Sequence, residues 1–154
     1  MSVSVSHQRA TSSANQLKDE ILTGGLVLLG VYGLGLAIFM AAAPGAFHSS
    51  IGPFGSTNDH YLRDVATFSA ALGAGALIAV RVPSWRVPVL AVTVIQFALH
   101  SVNHLVDIDK ADPAWIGYFD FFALALATAQ LAWLLAIARE RARAPVPRPE
   151  GERP

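Results

Sequence analysis

The chain has 154 residues, eleven acidic and eleven basic side chains, five histidines and no cysteine. Apolar residues make up 53% of it and charged ones only 14%, where an ordinary soluble domain carries roughly 25% charged. The length suits one domain, a net charge of zero gives no basis for nucleic-acid binding, and the missing cysteines exclude thiol catalysis, disulfide relays and thiolate-held metal or iron–sulfur centres.

The charges are unevenly placed. None falls between Glu20 and Asp59 or between Arg86 and Asp107, and Asp120 stands alone between Asp112 and Arg139. These gaps predict membrane spans. Residues 1–20 are expected to be a mobile tail, since the stretch up to about Gln16 is rich in serine, glutamine and alanine and has no hydrophobic period. The first apolar run, 21–43, would be about 34 Å long as a helix, enough to cross a bilayer. A signal peptide ending at Ala41 to Ala43 is the competing reading. Its apolar region would be too long and its leader is not basic. Gly33, Ala37 and Ala41 form a row of small residues suited to close helix contact.

Residues 44–57 cannot carry that helix onward through Pro44, Gly45, Gly52, Pro53 and Gly55. Being rather apolar, the segment is expected in the membrane interface, folded over the mouth of the bundle. Thr57 or Asn58 should cap a second span at 59–80, which carries Ala66, Ala70 and Ala74 on one face with Gly73 and Gly75 nearby. Pro83 ends that helix and Ser84 can cap the third span, 87–106, with Trp85 at headgroup level. Asp112 as N-cap and Pro113 at the first helical position predict the start of the fourth span, 114–138. A basic, proline-rich tail, 139–154, follows. Nine of the eleven basic residues lie in the N-terminal tail (Arg9, Lys18), the second connection (Arg81, Arg86) and the C-terminus (Arg139, Arg141, Arg143, Arg148, Arg153), against Arg63 and Lys110 elsewhere. By the positive-inside rule both termini are cytoplasmic. The expected fold is an all-α, up-down-up-down four-helix membrane bundle, in the inner membrane of a bacterium.

That topology gathers the polar groups. His60 and Asp64 start the second helix, Gln96, His100 and His104 form an i, i+4, i+8 row ending the third with Asn103 and Asp107 beside it, and Asp120 lies two turns into the fourth. All fall at the outer level, under a loop carrying His48, whereas the inner halves of the spans hold no ionisable residue. Ionisable groups inside membrane helices are costly and mark functional sites by default. Imidazole with carboxylate suits Zn, Fe, Mn or Cu, so His60, Asp64, His100 and His104 are the expected metal ligands, with Gln96, Asn103 and Asp120 holding ring tautomers. Asp64, Asp120 and Arg63 are the candidate catalytic groups: the carboxylates to handle protons, Arg63 to neutralise a carboxylate or hold an anionic substrate group.

The same histidines admit a b-type haem held between His60 and His100 or His104, or a structural or proton-relaying hydrogen-bond network. Phe119, Phe121 and Phe122 would line a quinone or lipid pocket, or face lipid. Asp107, Asp109 and Asp112 lack the central glycine and distal glutamate of a calcium loop and are expected to be a solvated, helix-capping loop.

Gly52-Pro-Phe-Gly55, Asn58-x-His60-x2-Arg63-Asp64 and His100-x3-His104-x2-Asp107 together resemble a group of small bacterial four-span membrane proteins of unassigned function, over about residues 21–138. The resemblance implies that His60, Arg63, Asp64, His100, His104 and Asp107 belong together. In overall architecture alone the chain is similar to DoxX-like four-helix membrane proteins, some of them linked to quinone-coupled oxidation. The expected function is a metal-binding membrane protein, oxidoreductase or hydrolase, acting on a lipophilic small molecule. The alternatives are a haem- or quinone-linked electron-transfer subunit, or a non-enzymatic accessory subunit, with a homo-oligomer or a membrane partner in view.

Overall fold

A computed structural model describes the backbone of residues 2–144 and the side chains of 13–144. The last ten residues of the expected C-terminal tail lie outside the described residues. Among the described residues the structure is all-helical: α1 (Ser2–Ala42), α2 (Pro44–Ser50), α3 (Asp59–Arg81), α4 (Arg86–Val106) and α5 (Trp115–Arg143), with a 3-10 turn, Pro83–Trp85, joining α3 to α4. Four of these helices are long and apolar enough to cross a membrane, within Ser13–Ala42, Asp59–Arg81, Pro83–Val106 and Trp115–Arg143.

The helix ends follow local chemistry, with three departures from expectation. First, α1 begins at Ser2 instead of near Ile21. Nothing before Gly24 breaks a helix, and Lys18 and Asp19 dock on Glu140 and Arg141 of α5. Second, the chain does break before Pro44, but Pro44 then opens the short helix α2, where its missing N–H costs nothing. Third, α5 starts at Trp115 with Ala114 at its N-cap and no side-chain cap, so Asp112 is not the cap. The backbone N–H of Asp112 is committed elsewhere, donating to the Pro53 carbonyl at 3.2 Å. Asn58 caps α3 as expected, its Oδ1 accepting from the Tyr61 N–H at 3.1 Å. Arg86 satisfies the other end of α3, donating through Nε to the Ala79 carbonyl (3.2 Å) and through a terminal nitrogen to that of Val80 (3.4 Å).

The long helices associate chiefly as two pairs, α1 with α3 and α4 with α5. In the first pair the backbones approach closely through Gly30, Gly33 and Gly73: a Cβ on Gly73 would stand 2.9 Å from the Leu34 nitrogen and 3.0 Å from the Gly30 oxygen. Ala37 and Met40 then meet Ala66 and Ala70. As numbers rise on α1 they fall on α3, so the helices run antiparallel. The expected small-residue rows are used in part: Ala41 and Ala74 face outward.

All four long helices share one apolar core only toward the end that holds Lys18 and Arg141. There Leu22, Leu26, Leu29, Ala76, Ala79, Leu90, Leu131, Leu134 and Leu135 are buried together. At the other end the buried cluster of Ala37, Met40 and Ala66, with Phe47 and Ala70, draws on α1, α2 and α3 alone. The outward faces are strongly apolar, including Leu28, Ile38, Phe68, Ile95, Leu99, Phe122 and Trp133.

Candidate functional site

Where α4 ends and α5 begins, the helices meet through polar side chains. Ser101 and Thr128 pair hydroxyl to hydroxyl at 3.3 Å, each also returning a bond to its own helix, Ser101 to the Phe97 carbonyl and Thr128 to that of Leu124. One turn further along α4, His104 is 13% exposed in its side chain and faces Asp120 of α5, 14% exposed, with Nδ1 and Oδ2 3.9 Å apart. That is ion-pair reach but too long for a hydrogen bond, and both atoms are buried without a hydrogen-bond partner. The other ring nitrogen of His104, Nε2, lies 3.2 Å from Nε2 of His100, one turn earlier on the same helical face.

Two loops cover this group. The residues between α2 and α3 and those between α4 and α5 touch through a bridge between Phe54 and Ala111, and Phe54 stands edge-on to the His104 ring with centroids 5.0 Å apart. Gly55 adopts φ of 66°, which a side chain would strain, and its carbonyl is 3.0 Å from His48 Nε2. Gly117 permits a close approach on the other loop, where a Cβ would meet the Ile108 carbonyl oxygen at 2.1 Å. The expectation that residues 44–57 fold over the polar group is met at Phe54. His48 serves this loop.

His60 and Asp64 are brought together with each other, Nε2 to Oδ2 3.5 Å, but on an exposed face of α3, with side chains 83% and 64% exposed. Among the described residues no three His, Asp or Glu side chains are grouped so as to hold a metal ion. The four expected ligands therefore form two separate i, i+4 pairs within one chain. Helical periodicity fixes each pair, while the separation of α3 from the end of α4 decides that the pairs stay apart. Arg63 is exposed and makes no ion pair among the described residues, and Asp64 turns to His60. Asp107 accepts a hydrogen bond from Lys110 Nζ, 2.6 Å away, and makes none to either histidine. Gln96 and Asn103 make no side-chain hydrogen bond to either histidine, so of the three expected orienting residues only Asp120 faces a ring.

Sequence reasoning missed the Ser101–Thr128 pair and the specific role of Phe54. A hydroxyl in an apolar helix does signal interhelical bonding, but its partner 27 residues away has no local signature. Phe54 sits inside the Gly52–Gly55 motif, which marked the segment without saying what the ring covers. The open surface grooves, lined by Asn15, Asp19, Arg139 and Arg141 among others, lie about 30 Å along α5 from Asp120.

No protein-family model, curated protein or solved structure matches this chain.

Proposed function

We propose that this is a four-span integral membrane protein of a bacterial inner membrane, an up-down-up-down bundle with both termini cytoplasmic, whose His100–His104–Asp120 group near the outer leaflet is a metal site serving chemistry on a lipophilic molecule. The apolar outward faces support the membrane assignment, and the distribution of Lys and Arg supports the orientation. The observation that carries the site is His104, with Nε2 3.2 Å from the His100 nitrogen and Nδ1 turned to Asp120. Two nitrogens bound to one tetrahedral ion at 2.0–2.1 Å stand about 3.3 Å apart, and a ligating histidine ordinarily directs its other nitrogen to a carboxylate.

The donor set fits such a group in kind, imidazole nitrogen with carboxylate behind it. When bound, a Zn, Fe, Mn or Cu ion supplies Lewis acidity or redox chemistry. The protein's own contributions are distinct. The Asp120 carboxylate, at ion-pair distance, would favour the His104 tautomer with its proton on Nδ1, so that the Nε2 lone pair faces His100. Phe54 shields the ring from above, and the bare rim at His100 leaves the group reachable.

Elemental analysis of detergent-purified protein beside the His100→Ala/His104→Ala double variant tests this. About one transition-metal ion per chain, lost in the folded double variant, is the expected result. A folded wild-type chain that takes up no metal sinks the site, and a Soret band lost in the same variant would replace it with haem. A reporter fused after residue 154 reads orientation, and periplasmic activity there would reverse it.

A further inference from the structure

Among the described residues the four candidate ligands form two pairs, not one centre. His100 and His104 present two nitrogens 3.2 Å apart. His60 and Asp64 present a nitrogen and an oxygen 3.5 Å apart. Both separations are close to the edge of a tetrahedron around a first-row metal ion, about 3.3 Å. Neither pair has a third ligand, because no group of three exists among the described residues. The second pair is highly exposed; in the first, His100 is exposed while His104 is 13% exposed, so the first pair is reached from outside the chain on its His100 side.

The bilayer removes most of the search for a partner. His60 and Asp64 lie in the first two turns of α3, and His100 and His104 in the last two of α4. Since α3 and α4 are consecutive spans joined by a tight turn, the start of one and the end of the other lie at the same depth. Two copies with the same orientation therefore hold all four pairs at one level, and lateral contact is enough to bring unlike pairs together. The faces beside them are ready for such contact: Tyr61, Val65 and Phe68 on α3, and Ile95, Leu99 and Val102 on α4 are exposed. A two-fold dimer makes each meeting twice, since a self-complementary interface places residue i against j and j against i.

We propose that the metal centre is completed between two copies of this chain, His100 and His104 of one with His60 and Asp64 of the other, giving three nitrogens and one oxygen per ion and two ions per dimer. This rests on the metal reading of His100 and His104 and names its missing ligands. Asp120 remains behind His104, and Arg63, next to Asp64 in sequence, stands at the rim to meet an anionic group of a ligand.

Complementation between differently tagged, co-expressed chains tests it, with Zn2+ as the probe. One variant is His60→Ala/Asp64→Ala and the other His100→Ala/His104→Ala. Each alone should bind none of the tightly held metal, while the mixed dimer isolated through both tags should hold half the wild-type content, because one of its two centres has all four ligands. Size-exclusion light scattering in detergent should show wild type as a dimer that Zn2+ stabilises. If the mixed dimer holds no more metal than either parent, the shared centre is overturned. It is also overturned if the His60→Ala/Asp64→Ala chain keeps wild-type metal, and in that case the site on His100 and His104 survives. Absence of metal from the wild type removes both readings. A matched pair of His→Gln variants, closer in volume, guards against a result that only reports misfolding.

Discussion

The two ends of the molecule are built by different rules. At the end that holds Lys18 and Arg141, leucines of α1, α4 and α5 interlock with Ala76 and Ala79 of α3 around Leu22, Leu26 and Leu90, each fully buried, and Arg141 closes the end with a two-pronged contact to Asp19, 2.8 and 2.6 Å. At the opposite end the apolar cluster stops at α3, and α4 meets α5 through hydroxyls, imidazole and carboxylate. The first arrangement is self-satisfied. The second leaves His104 Nδ1 and Asp120 Oδ2 buried and unpaired, which costs free energy unless a proton, an ion or a ligand compensates. Holding the helices together at one end leaves the other able to keep such a group.

The sharpest way to break that contrast is to weaken the shared core. Leu26→Ala should destabilise the protein by about 2–5 kcal/mol, read as a lower unfolding temperature in detergent, and should loosen both helix pairs together. An unchanged melting profile would mean that the four helices do not depend on that core. Gly73→Ala comes next: its methyl would press on the backbone of α1 near Gly30 and Leu34, at a cost of about 1–3 kcal/mol. That variant should separate α1 from α3 while the Ser101–Thr128 contact persists, a difference that crosslinking between engineered cysteine pairs would detect.

His104→Ala should reverse the pattern, losing metal uptake with a smaller fall in unfolding temperature than Leu26→Ala. A larger fall would recast the histidine as a structural member of the α4–α5 contact. Arg141→Ala should cost about 1 kcal/mol or less, because the pair with Asp19 is partly exposed and screened. Raising the salt concentration should shrink the difference further. The smallest effect belongs to Lys110, whose pKa the hydrogen bond and charge of Asp107 hold above the ordinary 10.5. Because the folded value is raised, its contribution is fully present below 10.5 and is lost as the pH climbs through the higher folded value. Stability measured across neutral and mildly alkaline pH should therefore be the same for Lys110→Met as for wild type, apart from a constant offset.

Much of the frame was legible in the sequence. Charge-free runs between Glu20 and Asp59 and between Arg86 and Asp107 gave the apolar helices, Pro83 gave the turn between α3 and α4, and Asn58 gave a cap, because these are properties of the chain over a few residues. The extra length of α1 was not legible. Its N-terminal part has no hydrophobic period, and the partners that fix Lys18 and Asp19 are on α5, 122 residues away. The cap of α5, though not its place, was misjudged for a similar reason: Asp112 and Pro113 carry a helix-start signal, but Ala114 is the N-cap and the Asp112 N–H is taken by Pro53.

The candidate site divides in the same way. The i, i+4 spacing alone dictates that His100 faces His104 and that His60 faces Asp64, since 3.6 residues per turn leave little choice. Which unlike groups meet is not a local matter. That Asp120 faces His104, that Phe54 covers the ring, and that the two i, i+4 pairs remain apart in one chain depend on how α3, α4 and α5 cross and on where two loops touch. The sequence by itself determined the number of apolar helices and the pairing of neighbours along each. Only the tertiary structure decided the contacts between helices: small-residue and leucine rows mark faces fit for packing, but which face meets which depends on residues far apart in the chain.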